Sequence, residues 1–451
     1  MRTRLRDFAS STATALCVVA VALLAYIAGA WAAWLNTFPV DPFLRPAFVG
    51  ASALLQQYVT PVDTDVWMEN PGVGGIMTNK AEAAYDGFTL VTTGQGARLL
   101  AMNGDVLHEW HLPYDEITAP EARTHPDYPE SWLYWRPARL FPNGDLIAIV
   151  DACGSTPEGL ALIKIDRQSR LIWTYRAPVH HDFDIDEAGN IYVLDQQIRQ
   201  RRPQQLWALD EPMLDESLIV LSRDGEEIRR VSILDAFARS SYRDIVNRLA
   251  PGNVSRWGDY LHNNNVELVT ADLAPAFPFL EAGQVILSMR QLDTIAALDL
   301  DREEIVWAIR GSWHRQHDPD LLANGNILLF DNKGDWARGG RSRVLEIDPT
   351  TSEIVWTWPS AKGGELWSSY RADQQMLPNG NVLINEFVQG RLVEVTRGGE
   401  VVWEFISPFR DEQNHDRVAR IMFAERYPRD WIAFEPVAAT STDRVKHGDR
   451  G

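Results

Sequence analysis

From about residue 81 to 410 the chain alternates apolar and polar positions in short runs broken by Gly, Asn and Asp. This is the period-two pattern of half-buried strands, not the 3.6-residue period of helices. A glycine-led run recurs six times: Gly87-Phe88-Thr89-Leu90, Gly144-Asp145-Leu146-Ile147, Gly189-Asn190-Ile191-Tyr192, Gly283-Gln284-Val285-Ile286, Gly325-Asn326-Ile327-Leu328 and Gly380-Asn381-Val382-Leu383. Each is followed by a second apolar run, a charged turn and a further run that in five units carries a Trp: Trp110, Trp173, Trp307, Trp356 and Trp403. The turn Asp224-Gly225-Glu226 belongs to the series without the Trp. A basic residue also recurs ahead of the glycine, with Arg136, His181 and His317 eight residues before Gly144, Gly189 and Gly325, and Arg371 nine before Gly380. Adding a strand that begins at this basic position gives four strands per unit. Six such units predict an all-β, six-bladed β-propeller. The uneven glycine intervals of 57, 45, 94, 42 and 55 residues then reflect loop insertions, the largest holding a helical pattern near Leu234 to Leu249.

Outside the repeats the pattern changes. Residues 13–35 carry no charge and are long enough to span a bilayer, with Arg2, Arg4 and Arg6 ahead of them. They are expected to form a transmembrane helix or signal sequence that leaves a basic cytoplasmic N-terminus (1–12) and a periplasmic or extracellular soluble part at the inner membrane. Residues 36–80 read as a stalk and lead-in, 81–410 as the propeller, and 411–451 as a C-terminal extension with a disordered tail. With 43 Lys plus Arg against 62 Asp plus Glu, the net charge of −19 argues against a nucleic-acid partner. Cys17 and Cys153 are the only cysteines, which excludes a disulfide framework or a Cys-x-x-Cys pair in the soluble part.

In a propeller the first strand of each blade lines the central channel. Arg136, His181, His262, His317 and Arg371 would therefore converge from five blades, with Arg290 just past the glycine-led strand of the fourth. Several cations in one channel repel one another unless an anion sits among them, so the expected ligand is a compact multi-oxygen anion such as sulfate, sulfonate, phosphate or carboxylate. Asp182, Asp184 and Asp186 lack the closing Glu of a calcium loop, since Val193 stands in its place. His180 is expected to face away from His181 across the strand. Cys153 reads as a small apolar residue. No metal and no cofactor is called for.

The Trp-bearing repeats together with His181, the tripeptide His262-Asn263-Asn264, Ser288-Met289-Arg290 and Gln316-His317 resemble the bacterial arylsulfotransferases, which transfer sulfuryl groups without a nucleotide donor. The resemblance covers about residues 80–410. It implies that His317 accepts the sulfuryl group and that His262, Asn264, Arg290 and His181 surround it; Arg371 and Arg136 are added as further substrate-binding residues from their register. The partners implied are an aryl sulfate and a phenol. Two departures stand out: this chain cannot form the disulfide that periplasmic members often carry near the site, and it reads as anchored. The chemistry expected is attack by neutral His317 on sulfur, with Arg290 holding the sulfuryl oxygens and His262 passing a proton to and from the phenol. The alternatives are an anchored propeller that binds an anion or a protein partner without chemistry, and, less favoured, a quinoprotein-like dehydrogenase.

Overall fold

The computed structural model describes residues 19–29, 31, 66–117, 128, 130–249, 258–359, 364–411 and 414–436. The chain forms two compact units, Met1–Pro61 and Val62–Gly451. In the first, residues 19–29 and 31 are helical and exposed. Among the described residues no helix is long and apolar enough to cross a membrane. The rest of the 13–35 span, the basic N-terminus, residues 36–65 of the stalk and the tail from 437 lie outside the described residues.

The second unit is a ring of six antiparallel sheets. Blades two to five each use four consecutive strands. These are Leu133–Leu140, Leu146–Ala152, Ala161–Ile165 and Leu171–Tyr175; then Val179–Ile185, Ile191–Arg199, Met213–Leu221 and Glu227–Ser232; then Asn263–Leu268, Val285–Met289, Thr294–Asp299 and Glu304–Arg310; and then His317–Leu321, Ile327–Asp335, Arg341–Asp348 and Glu353–Trp358. The glycine-led runs are the second strands throughout, as the repeat predicts, and the basic positions fall in or just before the innermost strands. The insertion in the third blade folds as two short helices, Ile233–Arg239 and Arg243–Asn247. Ser232 caps the first of them, its side chain accepting from the Asp235 amide.

Ring closure draws on both ends of the repeat region. The innermost strand of the first blade, Phe423–Tyr427, comes from the C-terminal side and pairs with Phe88–Thr93, which leads to Gly96–Leu100 and Val106–His111. The sixth blade, Asp373–Met376, Val382–Glu386, Arg391–Val395 and Val401–Ile406, gains Gly75–Asn79 as a fifth, outer strand. Trp67–Glu69 pairs with Arg417–Ala419 beside it. Propeller strands therefore lie beyond 81–410 on both sides. Closing a β-ring with strands from opposite ends of the chain leaves no open sheet edge between first and last blades.

The outer-strand tryptophans join blade to blade. Trp110 Nε1 donates to the Gly144 carbonyl in the next blade at 3.0 Å, Trp356 to Arg397 at 2.9 Å and Trp403 to Met102 at 2.9 Å. Each indole buries its face between sheets while its N–H finds a backbone partner in the neighbouring hairpin. In the third blade the turn glycine Gly225, at φ 83°, lies against the Trp173 ring, and a Cβ there would come within 2.9 Å of it. The absence of a Trp from that blade's own outer strand does not break the series, because the preceding blade still supplies its Trp.

Candidate active site

The mouth of the central channel is built by one backbone device used repeatedly. The innermost strands lose register with their neighbours between Trp135 and Ala138, His180 and Phe183, Asn263 and Val266, and His317 and Asp320. Left-handed residues stand at three of these places, His181 at φ 59°, His262 at 52° and Asp318 at 53°, and Arg371 at 56° precedes the innermost strand of the sixth blade, whose pairing shows no register shift. A bulge interrupts the strict alternation of a strand and re-aims the side chains at the extra residue. Left-handed non-glycine backbone costs of order 1–3 kcal/mol per residue, so its recurrence at the basic position marks a place where side-chain direction outweighs backbone ease.

Arg136, His181, Asn264, His317 and Arg371 line one cavity of about 70 Å³. His262 joins them through its ring, 4.8 Å from that of His181 and nearly perpendicular to it. Arg290 reaches the same neighbourhood from the end of the second strand of its blade, where its backbone amide donates to the His262 carbonyl at 3.1 Å. The expectation that His180 faces away from His181 is corrected. Because of the bulge, the two rings lie 4.9 Å apart and their Nδ1 atoms 2.7 Å apart, the spacing of one N–H meeting one lone pair.

His317 is buried, and its Nδ1 lies 2.7 Å from Asn332 Oδ1 and 3.2 Å from the Arg315 carbonyl. Asn332 cannot be turned around, because its Nδ2 donates to the carbonyls of Ser368 and Arg371 at 2.8 and 2.7 Å. Both neighbours of Nδ1 are therefore acceptors, which places the ring proton on Nδ1 and the lone pair on Nε2. Burial, then the adjacent Arg290 charge, holds the imidazole well below the usual histidine range, so the ring is neutral near pH 7. Among the described residues no hydrogen-bond partner is found for Nε2.

The cations around this nitrogen differ in kind. Arg136 is already neutralised: its Nε pairs with Asp151 and its other terminus lies 3.0 Å from Glu158. Arg371 donates to the Tyr134 hydroxyl at 2.9 Å and lies 4.7 Å over that ring. Arg290 has no carboxylate within 4 Å among the described residues. Burial, then the charge of Arg315, pulls it down to about 10 against the more distant charges of Asp259, Glu158 and Asp293, so it remains charged at neutral pH. His262 is held differently, with Nδ1 against Asp259 and its backbone amide donating to the same carboxylate at 3.1 Å. The carboxylate occupies Nδ1 and leaves the other ring nitrogen for proton exchange.

Further along the innermost strands the polarity reverses. Asp182 and Asp184 accept from the backbone amides of Val266 and Leu268, Glu267 from Leu321, Asp318 from Gln374 and Asp373 from Ala424, each at 2.8 to 3.1 Å. These carboxylates stitch each innermost strand to the next. Burial raises Asp182 to about 6, Asp318 to about 7 and Glu267 and Asp373 well above the usual carboxylate range, so part of the ring is protonated near neutrality. An anion is favoured at the starts of the innermost strands and opposed farther along.

Among the described residues one group offers several metal-type donors close together: Glu158, His180 and His181, whose ligand atoms lie within 4.8 Å of one another. The 2.7 Å between the two Nδ1 atoms is shorter than two nitrogens bound about 2.0–2.1 Å from a tetrahedral zinc would show. Glu158 is also engaged by Arg136. As held, the group is a hydrogen-bonded pair beside an ion pair.

The family profile described as Arylsulfotransferase (ASST) matches residues 141–408, more than half of the 451-residue chain. The chain belongs to the arylsulfotransferase family. The match contains His181, His262, Asn264, Arg290, His317 and Arg371, while Arg136 precedes it. No curated protein matches the chain. Among solved structures it is similar to a protein of unknown function from Bacteroides caccae, at 11% identity over 71% of this chain and 93% of that one, with a TM-score of 0.45. A streptogramin B lyase shares 11% identity over 80% and 98% of the two chains at a TM-score of 0.39. A virginiamycin B lyase from Staphylococcus aureus shares 10% over 65% and 84% at 0.34.

Four residues around this cavity escape the spacing argument. Tyr134 donates to Asp151 at 2.8 Å and takes bonds from both Arg136 and Arg371, tying two blades together. Its signal was its place two residues before Arg136, on the same face of the strand. Asp151 and Asn332 lie seven residues past the glycines Gly144 and Gly325, as Arg290 does past Gly283, so a polar end to the second strand is itself a repeat feature. Asp259 lies three residues before His262, in a segment with no periodicity to reveal it. Gln316 is structural: it is fully buried, and its Nε2 donates to Ser288 Oγ and the Thr294 carbonyl at 3.0 Å each. Asn264 Nδ2 holds the Gln316 carbonyl at 2.8 Å, fixing the backbone just ahead of His317.

Proposed function

We propose that this chain transfers a sulfuryl group from an aryl sulfate to a phenol by way of a sulfohistidine on His317. The observation that carries this reading is the tautomer of His317. A neutral imidazole with its proton locked on Nδ1 presents the Nε2 lone pair near a buried Arg290 that has no carboxylate within 4 Å among the described residues, and that pairing suits attack on an anionic electrophile. In the first half-reaction Nε2 bonds to sulfur as the bond from sulfur to the aryl oxygen breaks, and that bond's electron pair stays on the departing oxygen. His262, oriented by Asp259, gives this oxygen a proton. In the second half-reaction a phenol returns its proton to His262 as its oxygen takes the sulfuryl group from Nε2. Arg290 balances the sulfuryl charge throughout, while Arg136 and Arg371 fix the cavity wall through Tyr134.

A rapid-mixing experiment with a nitrophenyl sulfate and no acceptor tests this. About one equivalent of nitrophenol per chain is expected in a burst, followed by a slow phase that added phenol accelerates. Binding without any burst or turnover would favour the non-catalytic anion-binding propeller.

A further inference from the structure

Behind His181 lies a buried chain of polar groups that no step of the transfer uses. His180 is fully buried, and its Nδ1 stands 2.7 Å from His181 Nδ1, so one of the two rings donates to the other. At its other end His180 Nε2 has no hydrogen-bond partner among the described residues. Glu216 Oε1 stands 3.8 Å from that nitrogen, about 0.6 Å beyond hydrogen-bond range. Glu216 is itself buried, in the third strand of its blade, and reaches across to the next blade. There both of its oxygens accept from the Asn263 backbone amide at 3.0 Å, and Oε2 also accepts from Asn263 Nδ2. Asn263 cannot be turned over, because its Oδ1 has no partner and its two N–H groups would then stand where no acceptor is found among the described residues. One carboxyl thus stands behind His181, through His180, and behind His262 and Asn264, through the residue between them.

Donor counting gives this chain a direction. Burial, then the charges of Arg136 and His262, pushes His180 down to about 3; burial, then Arg136, holds His181 well below the usual range; and burial, then the charge of Asp259, pushes Glu216 well above the usual carboxylate range. These shifts favour the neutral form of all three. A neutral carboxyl has one O–H to give, and His180 Nε2 is the acceptor left open to it. Accepting there places the His180 proton on Nδ1, where it donates to His181 Nδ1, and the His181 proton is left on Nε2. Glu158, 3.5 Å from His181 Nδ1, is met by Arg136 at 3.0 Å and does not need that proton. His181 lines the cavity, and with Nδ1 taken by His180 the nitrogen left for the cavity is Nε2. The reverse arrangement would turn a lone pair toward the sulfuryl oxygens.

Resting on the sulfotransfer reading, we propose that Glu216 and His180 are positioning residues that fix the proton of His181 on Nε2 and so make that ring a hydrogen-bond donor to the sulfuryl group. The Glu216 carboxyl acts in its neutral form.

The test reads the tautomer by nuclear magnetic resonance of protein labelled at the histidine ring nitrogens, with the His181 signals identified by their loss in His181→Gln. Wild-type protein should carry the His181 proton on Nε2. Glu216→Gln is the decisive variant, because an amide can donate to His180 Nε2 and still accept from Asn263. It should keep the His181 tautomer and hold kcat/KM for a nitrophenyl sulfate within about threefold, as exchange of one neutral donor for another allows. Glu216→Leu can do neither, so the single tautomer should be lost and kcat/KM should fall by roughly ten- to a hundredfold, the scale of one hydrogen bond to a charged group. A bare Nε2 on His181 in the wild type, or a Glu216→Gln protein as impaired as Glu216→Leu, would overturn the proposal while leaving sulfotransfer intact. Should Glu216→Leu fail to fold, the wild-type and Glu216→Gln spectra still decide. Absence of turnover with any aryl sulfate in the wild type would instead end the sulfotransfer reading, and the spectra would still report where the His181 proton sits.

Discussion

His317→Asn is expected to lower sulfuryl transfer by roughly 10⁴-fold or more, the scale of losing a covalent nucleophile, while the thermal unfolding midpoint changes little. An asparagine amide nitrogen has no available lone pair, so the accepting atom is lost. The side chain remains polar and retains a donor for Asn332 Oδ1, the partner 2.7 Å from Nδ1 in the wild type. The pH dependence adds a readout that simple damage would not reproduce. Protonating Nε2 removes the nucleophile, and burial together with Arg290 opposes that protonation. A pKa lowered in this way moves the acid limb of the donor half-reaction below the ordinary histidine value of about 6.5. An acid limb at or above that value, or a His317→Asn protein with wild-type rates, would contradict the assignment.

Arg290→Met should cost roughly 10²–10³-fold in kcat/KM, the range found when one group that stabilises developing charge is removed. Methionine keeps the apolar stem and removes only the charge. Since Arg290 has no carboxylate partner among the described residues, the substitution leaves no buried anion behind, and stability should hold or rise slightly. Arg136→Met should behave in the opposite way. It would strand Asp151, which burial pushes up and Arg136 more than pulls back down. Removing Arg290 also removes one of the effects that depress His317, so the acid limb should move upward in Arg290→Met. A variant with an unchanged rate and an unchanged pH profile would show that this guanidinium does not face the reacting group.

Much of the fold was visible along the chain because a propeller repeats its hairpins. Gly144, Gly189, Gly283, Gly325 and Gly380 all take φ between 84° and 89°, so the glycine that marks each hairpin in sequence is one the backbone requires. Ring closure was not visible, because Phe423–Tyr427 finds its partner Phe88–Thr93 at the far end of the repeat region and carries no spacing signal of its own. The recurrent cation was legible as a position but not as a state of charge. Arg136 and Arg290 look alike in sequence, yet one is paired with Asp151 and Glu158 and the other has no carboxylate within 4 Å among the described residues. That difference arises from a strand end and a loop brought together in space. The bulges were equally hidden, since strict alternation would have sent His180 away from His181. Asn332 and Asp259, which set the two histidine tautomers, act only through contacts that the folded backbone creates.

The central claim is a covalent bond between sulfur and His317 Nε2, and peptide-level mass spectrometry tests it most directly. Wild-type protein mixed briefly with an aryl sulfate, quenched at alkaline pH where the N–S bond survives, and digested should show a sulfuryl adduct on the peptide containing His317. The adduct should disappear when a phenol is added before quenching and should be absent from His317→Asn. An adduct on another residue, or turnover at the wild-type rate with no adduct at any quench time, would contradict the claim.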